Sequence, residues 1–102
     1  MTKSTEAKFA QAYTEAGGRN AGATPWAEII AAITKLISGC FVPPATMKRW
    51  AKRNPEAFNE MVADQLKHDG AFASTKDRNA AVKAAHETFL DMSDAEIRRL
   101  RS

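Results

Sequence analysis

Lys48, Arg49, Lys52 and Arg53 place four cations within six positions, and this is the spacing in the chain best suited to doing chemistry by charge. At about 100° per residue of helix, such a run covers a broad outer face. Each phosphate neutralised by a lysine or arginine releases condensed counterions, so a rigid basic helix is a natural nucleic-acid surface. Such a helix also fits the major groove, where arginine or lysine can reach guanine edges. Thr46, Lys48, Arg49, Lys52 and Arg53 are the candidate contacts. Arg98, Arg99 and Arg101 form a second cationic cluster, which either reaches a nucleic-acid backbone or complements the negative end of its own helix.

Other residue sets offer less. Cys40, His68 and His86 lack the spacing of metal ligands, and His86-Glu87 resembles an acid–base pair with no nucleophile or second carboxylate placed beside it. Gly17-Gly18-Arg19 could cradle a phosphate, but no strand precedes it and no Lys-Ser/Thr follows. The expectation is therefore no catalytic residue, no metal, no cofactor and no enzymatic activity. A single cysteine excludes an internal disulfide. The N-terminus lacks the apolar stretch of a secretory signal, and Ile29 to Ile37 is too short to span a bilayer, so a cytoplasmic location away from membranes is expected.

The net charge of +3 is mild, but it is unevenly spread. Residues 25–54 hold five cations against one carboxylate, while residues 55–70 hold four carboxylates against one cation. A basic helix followed by an acidic one is the organising feature of the middle of the chain.

The elements that must position these charges read as helices throughout. Phe9 and Tyr13, spaced i, i+4, predict a first helix over 4–16. Residues 17–23, glycine-rich, then make a connector, so that 1–23 reads as a mobile arm on a core formed by 24–102 within one domain. Thr24 and Pro25 open a second helix, whose stripe of Trp26, Ile29, Ile30, Ile33, Leu36 and Ile37 is the strongest apolar face in the sequence and the expected core. Gly39 and Pro43-Pro44 bound a turn, with Phe41 and Val42 tucked beneath it. A basic helix over 44–53 should turn Met47, Trp50 and Ala51 inward. Asn54-Pro55 caps a fourth helix to His68, with Phe58, Met61, Val62 and Leu66 inside. Ser74 to Asp77 and Ser93 to Glu96 read as capping boxes for a fifth helix, with Ala81, Val82, Ala85, Phe89 and His86 on its inner side, and for a sixth with Ile97 and Leu100 inward. The fold class is all-α: a compact bundle of about five to six short helices containing a helix-turn-helix-like unit.

The run from Ala45 to Phe58, with its Thr46-x-x-x-Trp50 spacing, the basic Lys52 and Arg53 and the continuation Asn54-Pro55-Glu56-Ala57-Phe58, resembles the end of the helix-turn-helix in phage terminase small subunits and related homeodomain-like phage proteins. The resemblance implies a DNA-binding recognition helix at Thr46 to Arg53, seated on the core by Trp50. The turn from Gly39 to Pro44 is longer than the three or four residues usual in that motif. DNA is the expected partner, for a phage- or plasmid-type regulator or packaging factor. The alternative is a non-enzymatic inhibitor or adaptor, such as a phage-encoded inhibitor of a host machine, that docks the same basic surface on a protein. A homo-oligomer is compatible with either.

Overall fold

A computed structural model describes residues 3–19, 25–39 and 41–101. They form six helices: α1 (Lys3–Glu15), α2 (Trp26–Ile37), α3 (Pro44–Arg53), α4 (Pro55–Asp69), α5 (Thr75–Asp91) and α6 (Asp94–Arg101). The all-α bundle is as the sequence predicts. Thr24, the rest of the glycine-rich connector and Cys40 lie outside the described residues.

Local chemistry sets the helix ends. Gly17 takes a φ of 93°, the Gly17 N–H donates to the Thr14 carbonyl, and the Gly18 N–H reaches back to that of Tyr13 at 2.9 Å. Gly70, with φ of 63°, closes α4 in the same way as the Ala71 N–H donates to the Leu66 carbonyl. In both, a residue with no Cβ supplies the left-handed turn that satisfies the last carbonyls. Pro44 opens α3 where its missing N–H costs nothing. The Ser93 box is reciprocal: Glu96 N–H donates to Ser93 Oγ at 3.1 Å and Ser93 N–H to Glu96 Oε1 at 3.2 Å.

Two predicted caps differ. Asn54 gives α4 no side-chain cap; its Nδ2 donates to the Trp50 carbonyl at 3.0 Å and closes α3. At Ser74 half of the box forms, with Asp77 N–H donating to Ser74 Oγ at 3.4 Å. The Asp77 carboxylate is drawn away to the Arg19 backbone N–H and guanidinium, at 3.1 and 3.4 Å.

The central element is α5 rather than α2. Ala80, Ala81, Val82, Ala84, Ala85, Thr88 and Phe89 are all buried, because α1, α3 and α4 pack around it and α2 touches it as well. Alanine lets neighbouring backbones approach closely, and a helix buried on several sides shows little amphipathic contrast. α1 is docked: Phe9 and Tyr13 are buried, Phe9 packs on Trp26 with ring centroids 5.3 Å apart, and α1 lies along α5. Its start is tied to α6 by Thr5 Oγ1, which donates to the buried Glu96 at 2.7 Å.

α2 and α3 stand further apart than the packed neighbouring helices elsewhere in the bundle. Their Cα atoms stay more than 8 Å apart throughout, whereas a recognition helix is usually braced by direct packing on its predecessor. α2 instead lies on α4, and α3 lies on α4, α5 and α6. Space remains between α2 and α3, and that space is the starting point for the site.

Candidate interaction surface

α3 buries Pro44, Met47 and Ala51 on one stripe. Ala51 is held further by His86 of α5, whose Nε2–H donates to the Ala51 carbonyl at 2.9 Å while the ring meets Phe58 edge-on, centroids 5.3 Å apart. This contact commits the His86 nitrogen to joining α5 and α3. His68 is exposed at the end of α4, beside Asp69.

The expected nucleic-acid residues separate into two groups. Lys48 is a brace: its side chain is only 25% exposed, its Nζ donates to the Met92 carbonyl at 2.9 Å and lies 3.3 Å from the Asp94 carboxylate. A cation there meets both the negative end of α5 and an acid in the first turn of α6. Arg101 is also held, donating through Nη1 to the Val42 carbonyl and so tying α6 to the loop before α3. Arg49, Lys52 and Arg53 are exposed along the outer ridge of α3 and have no ionic partner among the described residues. The half-buried Thr46 accepts from Arg49 at 3.5 Å. Arg98 and Arg99 are exposed on α6, which runs beside α3.

Trp50 is not the core anchor that its spacing predicts. It is 43% exposed, because it projects to the side of α3 where α2 stands away. Met61 of α4, also expected inside, is 44% exposed on the facing side. Phe41 and Val42 do not tuck under their turn and are 94% and 43% exposed. These four are the large apolar side chains that the described residues leave in solvent.

Three of them border one groove. Leu36, Ile37, Val42, Thr46, Met47, Trp50, Phe58, Met61 and Phe89 enclose about 320 Å³, and the Thr46 hydroxyl and the Trp50 indole N–H are the polar side-chain groups among them. α2 and the loop form one wall, α3 and α4 the other two, and Phe89 of α5 lies among the lining residues. The open end of α2 is pinned to α4 by Lys35, whose Nζ reaches the Asp69 carboxylate at 3.0 and 3.2 Å. That hydrogen bond, joined by one from Gln65, holds the Asp69 carboxyl below the usual carboxylate range. The groove is therefore bounded by braced elements.

Helical periodicity did not find this site, since it shows which residues share a face and not whether another helix covers it. One signal was available in the sequence, namely Phe41-Val42, two apolar residues in a loop ended by two prolines. No protein-family model, curated protein or solved structure matches the chain.

Proposed function

We propose that the chain is a non-enzymatic interaction protein, of the inhibitor or adaptor kind, whose working surface is the groove face formed by α2, α3 and α4. The observation that carries this reading is the exposure of Trp50, Met61, Val42 and Phe41 in and beside a groove of about 320 Å³. Burying a large apolar side chain is worth about 1.5–3 kcal/mol, so a molecule of this size leaves substantial free energy for a partner to recover. Contiguous apolar patches with polar rims mark protein-docking sites. Tryptophan, methionine and arginine, all present here, are enriched at such interfaces.

A second reading, nucleic-acid binding, is favoured by the exposed and carboxylate-free ridge of Arg49, Lys52 and Arg53. It is a phosphate-contacting mode, because α3 is not braced on α2 as a recognition helix is. Thr46, Arg98 and Arg99 belong to the same reading.

The two separate on one experiment. Partners are captured from nuclease-treated extract at raised salt with the wild type, with W50A/M61A and with K52E/R53E, and each protein is titrated with duplex DNA. Capture that survives nuclease and salt and is lost in W50A/M61A supports docking through the groove. Tight, steeply salt-dependent DNA binding lost in K52E/R53E, with capture indifferent to W50A/M61A, overturns it in favour of nucleic acid.

A further inference from the structure

The walls of the groove repeat one pattern in opposite charge. On α3, Arg49 and Arg53 flank Trp50 at i−1 and i+3; on α4, Glu60 and Asp64 flank Met61 at i−1 and i+3. All four charged residues are exposed, and none has an ionic partner among the described residues. The two rims therefore do not neutralise each other across the groove.

A surface of this kind is complementary to itself. In an isologous two-fold contact the same patch meets its own copy, so that residue i contacts j while j contacts i. Laying α3 of one protomer along α4 of its partner sets Arg49 and Arg53 against the partner's Glu60 and the partner's Asp64, and symmetry repeats the pairing on the other side. The same operation brings Trp50 towards the apolar wall that holds the partner's Met61.

We propose that this face is a homodimer interface in which α3 of each protomer lies along α4 of the other across the apolar groove. This rests on the reading that the groove face docks protein, and it names the partner as a second copy of the chain. The apolar lining drives association, while the charged rims exclude the alternative two-fold packing of α3 on α3 and α4 on α4, in which like charges meet. An unrelated partner would have to present one basic and one acidic flank at matching spacing, which this chain already carries.

The test is sedimentation velocity on the full chain, without nucleic acid, with circular dichroism on each variant to follow helicity. The wild type is expected to reach twice the monomer mass by about 100 μM, a concentration suited to a micromolar contact. R49E/R53E makes both rims acidic and E60R/D64R makes both basic, so each alone is expected to stay monomeric. Mixed in equal amounts they are expected to form a one-to-one heterodimer, since every rim then faces its opposite; unfolded variants could not produce this result. Trp50→Ala is expected to weaken the wild-type dimer at least tenfold.

A wild type that remains monomeric at 100 μM overturns the homodimer and leaves the face open to a different protein. A wild-type dimer indifferent to both charge reversals and to Trp50→Ala also overturns it, and counts against the groove as the docking face as well.

Discussion

Single residues fasten this bundle at points far apart in sequence, and two of those ties give sharp expectations. Lys35 donates to Asp69, with Gln65 adding a further bond, and these bonds favour the charged carboxylate and lower its pKa. A depressed folded pKa means that the unfolded chain takes up the proton first on acidification. The stabilisation is therefore full above the unfolded value of about 3.9 and disappears as pH falls through the lower folded value. Lys35→Met is expected to lower the thermal midpoint at neutral pH and to converge with the wild type as the medium is acidified below that window. Thermal melts across pH, with the Asp69 carboxyl followed by NMR, check both halves. The second tie is Thr5 to the buried Glu96. Thr5→Val keeps the shape and removes the donor, and is expected to cost about 1–3 kcal/mol in urea unfolding, the range for a buried group deprived of a hydrogen bond.

At the scale of elements, the close of α1 is where sequence and packing depend on each other most. A Cβ at Gly18 would lie 2.4 Å from the Tyr13 ring, which is buried and donates through its hydroxyl to the Arg19 carbonyl at 2.9 Å. Gly18→Ala must displace that ring and is expected to destabilise by about 1–3 kcal/mol, as overpacking does. Gly39→Ala is the control: nothing lies within 4 Å of a Cβ there, and its effect should stay within about 0.5 kcal/mol. Chemical denaturation of both variants checks the contrast. The helices themselves were legible because prolines, glycines and capping residues act locally. Pro44, Pro55, Gly70 and the Ser93 box mark their ends in the sequence alone. The inner faces of α5 and α6 were also legible from Phe89 and Ile97. What periodicity could not supply was the partner of each face. Trp50 and Met61 sit at respectable core spacing on α3 and α4, yet no helix among the described residues closes over them. α5 carries the centre of the fold on alanines that look unremarkable in sequence. Lys48 and Arg101 read as free cations because Asp94 and the Val42 carbonyl meet them only through tertiary structure.

For the molecule as a whole, the decisive question is whether its exposed apolar side chains stabilise the fold or await something outside it. A domain of this size has a stability margin of roughly 5–15 kcal/mol, and its core already contains Phe9, Tyr13, Ile29, Ile33, Phe58, Leu66 and Phe89. Phe58 and Phe89 stack with centroids 5.2 Å apart beneath the groove. Removing either leaves a cavity with a cost of about 3–5 kcal/mol, which at 4–8 °C per kcal/mol for a domain near 100 residues is a large fall in the thermal midpoint. Trp50 and Met61 lie above that layer, and nearly half of each is in water already. The double change Trp50→Ser and Met61→Ser is therefore expected to cost about 2–3 kcal/mol, less than Phe89→Ala alone. Its effect on association is expected to be the reverse: dimer formation lost for Trp50→Ser/Met61→Ser while the fold persists. Thermal melts at a concentration where each protein is monomeric, set beside sedimentation at high concentration, separate the two quantities. A double variant as unstable as Phe89→Ala would place Trp50 and Met61 in the core after all and remove the groove as a surface kept for a partner.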